Sequence, residues 1–437
     1  MKTVIMAGGR GTRISSIAAD IPKPMIPIGG KPILAYAIEA LVKAGLTDII
    51  IVVGYLGDSI TSCFKDGSEL NARITYYTEA EPLGTAGALF EIREQLGESF
   101  ILLNGDLIFD IDFTRLINFH TQKKSLATLV SHPNSHPYDS ALLVSDDESR
   151  IIQWINKEDP RDYYKNRVSS GIYLLTAELL SICQNSLNKK KNDLDRDVLK
   201  PHLKSGRIFA YDTPEYIKDM GTPDRYHQVE GDIKCGIVSL RNLSHKQRAI
   251  FLDRDGTINV YRNFVTGPED FFLIDGTGEA IRRINSNGYL AIVITNQPVI
   301  ARGECSVEEL NHIHEKMETE LGKDGAYIDG LFYCPHHPDR GFPGERPEYK
   351  IDCDCRKPKP GLILRAAAKY NIDLSESWMA GDDLRDVLAG KAAGCKTALL
   401  ASDTGLNGGK VTVQPDMICT GLLDFTEKLE LFRNFSF

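Results

Sequence analysis

Positive charge is in short supply in this chain. Its 437 residues hold 51 Lys and Arg against 60 Asp and Glu, a formal net charge of −9 and a pI near 5.7. The deficit excludes a general nucleic-acid binder, which needs a basic face to neutralise phosphates, and leaves room only for local basic pockets. Long apolar runs are missing as well. No stretch approaches the roughly 20 apolar residues that span a bilayer, and the opening MKTVIMAGGRGTR breaks into glycines too early for a signal peptide. No membrane partner is therefore expected, and the expected compartment is the cytoplasm. The nine cysteines are an odd number and are scattered, except for three between residues 334 and 355. This usage excludes a disulfide framework and fits a reducing compartment with one local metal site. Internal repeats and low-complexity segments are also lacking.

What is present is the composition of a globular protein, 42% hydrophobic and 25% charged. The length exceeds one ordinary core and suits two domains of roughly 200 residues each. Strand-like runs (KTVIM, DIIIVVG, ARITYY, SFILLNGD) alternate with helix-like ones (ILAYAIEALVKAG, TAGALFEIREQLG) to about residue 110, the pattern of a parallel sheet covered by helices. Residues 125–175 read as mostly short strands, followed by helices as far as GTPDRYHQVEGDI. A second alternation begins at RAIFLDRDGT and runs through YLAIVITNQ, GLFYC, WMAGDD and KTALLAS. The expected organisation is a first domain over 1–232, a linker over 233–247 and a second domain over 248–437.

In the first half, AGGRGTR (7–13) follows the opening strand. Gly8, Gly9 and Gly11, with Thr12, let the backbone approach an anion closely and aim N–H groups at phosphate oxygens, and Arg13 adds a charge-assisted pair. A glycine turn alone is more often an ordinary strand-to-helix connection. Here it is followed by DIPKPMIPIGGKPIL, in which prolines hold Lys23 extended and ready for a second phosphate. EPLGTAGAL supplies Gly84 and Thr85 for close contact with a base or sugar. LLNGD ends in Asp106, and IKDMGTPDRY offers Asp219. These two carboxylates come from distant segments and suit a shared Mg²⁺, a hard cation that prefers oxygen ligands and phosphate.

GGRGTR, PKPM and GKPI together resemble the opening signature of the sugar-1-phosphate nucleotidyltransferases, and the resemblance covers about residues 1–232. It implies a Rossmann-like domain with a mixed sheet. It also implies that Arg13 and Lys23 handle the triphosphate, that Asp106 and Asp219 bind Mg²⁺, and that the PLGTAGAL loop borders base and sugar. Lys157 lies where the family has an acidic-lysine-proline signature, here with Asn156 and Glu158 as neighbours, and is the candidate sugar contact. RISSIAADIP stands where the family has a leucine-proline-leucine segment. The implied reaction is in-line attack of a sugar 1-phosphate on the α-phosphorus, with release of pyrophosphate. The form of the sequence is similar to the mannose- and heptose-type guanylyltransferases, which makes GTP the expected nucleotide.

In the second half, FLDRDGT places Asp253 at the end of an apolar strand and Asp255 two residues on. A bare pair of this kind is usually a solvated acidic turn. One carboxylate attacking phosphorus while the other manages the leaving group's proton becomes the better reading once the later segments are added. VITNQ ends a strand in Thr295, CRKPKPG supplies Lys357 between prolines, and WMAGDD ends a third strand in Asp382. This ordered set resembles the haloacid dehalogenase superfamily of phosphatases over about residues 248–405. The resemblance implies a second Rossmann-like, parallel-sheet domain with Asp253 as nucleophile, Asp255 as acid/base, Thr295 and Lys357 on phosphate, and Mg²⁺ held by Asp253, Asp255 and Asp382.

Between these motifs lie Cys334, His336, Cys353 and Cys355, two close pairs separated by a loop and suited to a structural, tetrahedral Zn²⁺, with His337 the weaker ligand candidate. With CPHHP and CDCRKPKPG, this loop is similar to that of the histidinol-phosphate and heptose bisphosphate phosphatases, which implies that Asn296 and Arg356 contact substrate. Pro298–Val299 and Asp383 depart from that pattern, where serine-glycine and a basic residue are more usual. A phosphatase that removes the 7-phosphate of a heptose 1,7-bisphosphate makes the heptose 1-phosphate that such a transferase consumes. The expected chain is thus a bifunctional enzyme acting on heptose phosphates and GTP to make GDP-D-glycero-α-D-manno-heptose, the α anomer following from the guanylyltransferase pairing. Two alternatives stay open: a guanylyl- or other nucleotidyltransferase for another sugar 1-phosphate such as mannose, fused to a phosphatase of different specificity, and a silent sugar-nucleotide sensor controlling the phosphatase. Assembly as a homo-oligomer is open too.

Overall fold

The computed structural model describes residues 1–8, 21–54, 56–184, 191–400 and 413–434. The chain divides into two compact units, the first made of Met1–His132, Ala141–Asn156 and Arg167–Asn242, the second of Pro133–Ser140, Lys157–Asn166 and Leu243–Phe437.

The strands of the first unit are β1 (Lys2–Met6), β2 (Pro27–Ile28), β3 (Lys31–Pro32), β4 (Asp48–Val53), β5 (Arg73–Thr78), β6 (Ser99–Asn104), β7 (Leu107–Asp110), β8 (Ala127–His132), β9 (Leu142–Ser145), β10 (Ile151–Ile155), β11 (Val168–Thr176), β12 (Ile208–Asp212) and β13 (Tyr216–Asp219). Nine of them form one sheet in the order β10-β9-β11-β6-β1-β4-β5, with β8 joining β11 to β12. The centre, β6-β1-β4-β5, is parallel, and β11 runs antiparallel against β6. Runs such as DIIIVV are buried almost throughout, as strands covered on both faces must be. On the helix Ile33–Lys43, Leu34, Ala37, Ile38 and Leu41 recur at helical spacing and go inward. The sheet is mixed, as expected.

Two segments differ from the sequence reading. IFAYD and YIKD, placed among helices, are strands β12 and β13. Their pairing is long-range, β12 with β8 and β13 with β7, so nothing within either short run announces it. The stretch read as a linker carries structure of its own: one helix runs through Pro223–Lys234 and a further turn covers Ile237–Leu240, both within the first unit.

His120 shows how this packing sets a titration. It sits on the helix Phe113–Lys123, 6% exposed, with Nδ1 2.8 Å from the Thr128 hydroxyl of β8. Burial pushes its pKa down to about 4. Below its ordinary value near 6.5 the unfolded chain takes up a proton that the folded one refuses, so stability present above that pH is lost as the pH falls toward 4. The unfolding free energy of the wild type minus that of His120→Gln should therefore drop by about 3 kcal/mol between pH 7 and 4. Urea unfolding in a Trp378→Phe background, where Trp154 of the first unit alone reports, checks this; a constant difference would contradict it.

The second unit contains β14 (Ala249–Leu252), β15 (Leu290–Asn296), β16 (Gly330–Cys334), β17 (Trp378–Gly381), β18 (Lys396–Leu400) and β19 (Met417–Cys419). They form one sheet in the order β16-β15-β14-β17-β18-β19, parallel throughout. The central strands are wholly apolar and buried, AIFL in β14 and WMAG in β17. Between β15 and β16 runs the helix Val307–Lys323, started by a reciprocal cap in which Ser306 accepts from the Glu309 amide and Glu309 accepts from the Ser306 amide. The two excursions 133–140 and 157–166 belong to this unit, where the Tyr164 amide donates to the Thr319 hydroxyl at 2.9 Å.

Candidate active sites

In the first unit, β1, β4 and β6 end side by side, and the residues that follow them face one another. Gly8 follows β1, and a Cβ there would come within 3.0 Å of the Glu79 carboxylate and 3.5 Å of the Gly54 amide, so any side chain would press on that carboxylate. Gly9, Gly11, Thr12 and Arg13 lie outside the described residues. Lys23 is not extended as its flanking prolines predict: it opens a short 3₁₀ turn, Lys23–Met25, just after the extended Pro22, and donates to Asp106. The antiparallel pair β7/β13 has Leu107 opposite Asp219, and the Met220 amide donates to the Asp106 carbonyl at 3.2 Å. One ribbon end therefore carries both carboxylates singled out from the sequence. Asp219 is gripped in turn by Arg225, with Nη1 2.9 and 3.0 Å from its two oxygens. Arg225 was missed in the sequence, although GTPDR puts it in the first turn after the Thr222 cap. Two hard carboxylates, each balanced by a movable cation, are the donor chemistry that Mg²⁺ prefers.

The EPLGTAGAL loop is tied to residues 192–194. Ala86 N–H donates to the Asn192 carbonyl at 3.0 Å, and a Cβ on Gly84, at φ +85°, would collide with that same backbone. Thr85 spends its hydroxyl on structure, donating to Asp193 at 3.2 Å and accepting from the Leu194 amide at 2.8 Å. What remains for a ligand at Thr85 is backbone. Lys157 is exposed, with its ammonium 3.5 Å from Glu158, and falls within the second unit.

In the second unit, the carboxyl edge of the parallel sheet gathers Asp253 after β14, Thr295 and Asn296 at the end of β15, and Asp382 after β17, the place where open sheets of this kind bind ligands. Lys357, 3% exposed, is the hub of the site. Its ammonium lies 2.8 Å from Asp253, 2.7 Å from Asp386 and 2.8 Å from the Ile294 carbonyl. Burial opposes its charge, but Asp253 and Asp386 outweigh burial and hold its pKa above the ordinary value. Asn296 clamps the lysine's backbone from both sides, donating to its carbonyl at 3.1 Å and accepting from its amide at 3.0 Å. Thr295 is 1% exposed and accepts from Gln297 at 3.0 Å.

Asp253, Asp382 and Asp386 each offer an oxygen, all within 4.8 Å of one another. Burial, then mutual repulsion set against the pull of Lys357, raises both Asp253 and Asp382 to about 6. Three clustered carboxylates with one lysine between them fit a divalent cation in both charge and donor type. Gly256, at φ +82°, makes the cluster possible, since a Cβ there would collide with the Asp382 carboxylate. Asp386 was missed in the sequence; its signal was the third acid of GDDLRD, which one helical turn carries back toward the sheet. Asp255 stands apart from this trio. Burial favours its neutral form, but Arg254 overrides it, with Nη2 2.8 and 3.0 Å from its oxygens, as do Gln297 at 2.8 Å and Asn259 at 3.1 Å, and its pKa is lowered.

The cysteine loop closes beside the same edge. Cys334 ends β16 opposite Asn296 of β15. Its sulfur is 3.5 Å from Cys353 and 3.3 Å from Cys355, and His336 Nδ1 is 3.3 Å from Cys355. Tetrahedral thiolate ligands sit about 3.8 Å apart around a metal, so this set needs only slight relaxation to hold one. His337 is outside the set; its Nδ1 accepts from the Asp339 amide at 3.3 Å.

Comparison with known proteins agrees with this division. Residues 2–235 match the family described as nucleotidyl transferase, and residues 354–425 match the HAD-hydrolase-like family. A D-glycero-beta-D-manno-heptose-1,7-bisphosphate 7-phosphatase of Haemophilus ducreyi is 38% identical over 179 residues, which is 41% of this chain and 96% of that protein. A probable mannose-1-phosphate guanylyltransferase of Oryza sativa is 32% identical over 232 residues, 52% of this chain and 63% of that protein. HddC from Yersinia pseudotuberculosis, solved with GMP-PN, is 27% identical over 53% of this chain and 99% of its own, with a TM-score of 0.47. Two sites of different chemistry, each with relatives of its own, stand on one polypeptide: the chain belongs to the nucleotidyl transferase family and carries, after that part, a HAD-like phosphatase.

Proposed function

We propose that the two sites act in sequence, the second removing the 7-phosphate from a D-glycero-D-manno-heptose 1,7-bisphosphate and the first joining the resulting heptose 1-phosphate to GMP from GTP. The observation that carries this reading is the match of chemistries: the product of a phosphatase like the Haemophilus relative is the kind of acceptor a sugar-1-phosphate guanylyltransferase consumes. The expected product is GDP-D-glycero-α-D-manno-heptose. The α anomer follows from the guanylyl-type pairing, whereas the bacterial phosphatases that match carry β in their names. The rice relative's name favours a second reading, in which mannose 1-phosphate is the acceptor.

In the phosphatase, an Asp253 oxygen attacks phosphorus and the bond to the sugar oxygen breaks, leaving an aspartyl-phosphate. The departing oxygen takes its proton from Asp255. In the second half, Asp255 takes a proton from water as the water opens the aspartyl-phosphate, and its lowered pKa suits that role. Lys357 neutralises Asp253 against the incoming phosphate, and Thr295 orients a phosphate oxygen. Asp253, Asp382 and Asp386 are the residues that would hold Mg²⁺, which when bound offsets phosphate charge. Cys334, His336, Cys353 and Cys355 would hold Zn²⁺ as a closed structural site.

In the transferase, Arg13 and Lys23 draw charge from the triphosphate, and the glycines at 8, 9 and 11 admit it to the backbone. Asp106 and Asp219 would hold Mg²⁺. No covalent intermediate on the protein is required. Two supports for a cytoplasmic enzyme are its bacterial relatives and the fact that, among the described residues, no helix is long and apolar enough to cross a membrane.

Mass spectrometry of the products from each anomer of heptose 1,7-bisphosphate, with GTP, ATP, CTP and UTP together, tests the assignment. A product other than a GDP-heptose would sink it. Asp106→Ala is expected to cut nucleotidyl transfer by about 10³-fold or more while phosphate release continues. Continued pyrophosphate release by that variant would place the transferase metal elsewhere, and none from the wild type with any acceptor would favour a silent sensor domain.

A further inference from the structure

Arg254 stands between the two aspartates of FLDRDGT and is 0% exposed. A buried guanidinium is costly to desolvate, and apolar side chains of similar volume often replace a buried ion pair at no loss of stability. A charge kept in such a place needs a task beyond filling space.

The task is legible in its partners. Nε donates to Asp255 Oδ1 at 3.2 Å, and Nη2 lies 2.8 Å from Oδ1 and 3.0 Å from Oδ2. A rigid guanidinium that grips both oxygens fixes the plane of the carboxylate. Asn259 donates to Oδ1 at 3.1 Å and Gln297 to Oδ2 at 2.8 Å. Oδ1 thus faces three donor nitrogens and Oδ2 two, which leaves Oδ2 the oxygen with more room for a proton. Asp255 lines the cavity at the carboxyl edge of the sheet together with Asp253.

The far side of the guanidinium is held as well. Its Nη1 lies 3.3 Å from Nε2 of His314, a residue 60 positions further along the chain. A guanidinium can only donate, so Nε2 accepts and the imidazole is neutral, with its proton on Nδ1. Burial, and then the charge of Arg254, hold the His314 pKa well below its ordinary value, in keeping with that form. His314 is 6% exposed and belongs to the helix Val307–Lys323. That helix is pinned one turn further on, where Glu318 and Thr319 accept from the amides of Asn166 and Tyr164, both at 2.9 Å. The bond to a neutral imidazole adds no charge pairing to Arg254. What it adds is direction.

We propose that Arg254 and His314 are positioning residues for proton transfer: His314 fixes the guanidinium, and Arg254 turns the Asp255 carboxylate so that Oδ2 exchanges the proton in both halves of the reaction. The proposal rests on the phosphatase reading above. As the bond from Asp253 to phosphorus forms and the bond from phosphorus to the sugar oxygen breaks, the proton on Oδ2 passes to that oxygen. The carboxylate left behind stays in the Arg254 fork. Water then attacks phosphorus and gives a proton to the same Oδ2, and phosphate departs as the bond to Asp253 breaks.

The test sets two substrates side by side with the full-length chain. The departing alkoxide of heptose 1,7-bisphosphate needs a proton, whereas the phenolate of p-nitrophenyl phosphate leaves without one. Release of each leaving group is followed in the first turnover. His314→Leu should slow sugar release about 10²-fold, the scale of a general acid, and nitrophenolate release by less than about threefold. His314→Gln offers an amide oxygen in place of Nε2 and should return sugar release to within about fivefold of wild type. Arg254→Lys keeps the charge but loses the fork, and should lower kcat for the bisphosphate about 10²-fold while KM stays within about twofold. Equal losses on both substrates in His314→Leu, or a glutamine variant no better than the leucine one, would reduce the pair to structural filling and overturn the proposal. Sugar release within about twofold of wild type in His314→Leu would overturn it too. A wild type that releases neither leaving group overturns the phosphatase reading, and this proposal with it.

Discussion

Asp253→Asn is expected to lower phosphate release by about 10⁴-fold or more, the scale on which removal of a nucleophile acts when the rest of the site is intact. The amide keeps the shape of the carboxylate but cannot attack phosphorus. It also removes one of the two charges that hold Lys357, whose ammonium lies 2.8 Å from Asp253 and 2.7 Å from Asp386. The lysine should stay in place on Asp386 and the Ile294 carbonyl, so binding should survive where turnover does not. Single-turnover assays with a bisphosphate, together with pyrophosphate release at the other site, check this. Phosphate release within tenfold of wild type would mean that Asp253 is not the attacking group and that water attacks directly. A proportionate loss of nucleotidyl transfer would mean that the substitution had damaged the fold of both units.

The second large effect is expected from the cysteine loop. Cys355→Ser should abolish binding of the equivalent of zinc that metal analysis of the wild type is expected to return. Structural zinc contributes on the order of 10 kcal/mol to small sites. Without it, the three sulfurs and His336 have only weak hydrogen bonds to hold them together. The cost reaches catalysis because the loop leads straight into the site: Arg356 and Lys357 follow Cys355, and Arg356 is fixed to the His336 carbonyl at 3.2 Å. Phosphate release should fall at least 10²-fold, and thermal unfolding followed through Trp378 should shift down, while Trp154 in the first unit reports little change. A variant that retains full phosphatase activity and full metal content would remove Cys355 from the ligand set. An intact wild type that carries no zinc would remove the metal altogether.

Legibility of the chemistry in the sequence followed the range of the contacts. Asp253 and Asp255 were readable because their relation is local, a strand end and the two residues after it. The cysteine set was readable because a soft metal demands sulfur and imidazole in close pairs, and few other roles require that spacing. Lys23 was readable as a placed cation beside the glycine loop, but not its backbone, which turns in a 3₁₀ helix where its prolines pointed to an extended segment. Asp386 and Arg225 escaped notice for one shared reason: each lies in the first turn of a helix, and only the packing of that helix decides whether a charged side chain faces a site or solvent. GDDLRD offers three acids in five positions, and their spacing does not choose among them. In the structure Asp383 caps the helix, Asp382 faces Gly256, and Asp386 reaches Lys357.

Thr85 marks the opposite limit. Its loop was legible as a close-approach device, yet its hydroxyl is spent on Asp193 and the Leu194 amide, residues more than a hundred positions away. Nothing within IFAYD or YIKD marks a strand, because the strand character of β12 and β13 resides in their partners β8 and β7.

Two α/β units, a mixed sheet followed by a parallel one, and the reaction class of each were determined by the sequence alone. Apolar periodicity, glycine turns and strand-end carboxylates act over a few residues, and their meaning survives without knowledge of the fold. Only the tertiary structure decided which charges meet. It set Asp106 beside Asp219 across a ribbon, made Lys357 the hub between Asp253 and Asp386, and put His314 behind Arg254. Those encounters join segments far apart in the chain, and their free energy depends on burial and on distances of about 3 Å, which no local pattern encodes.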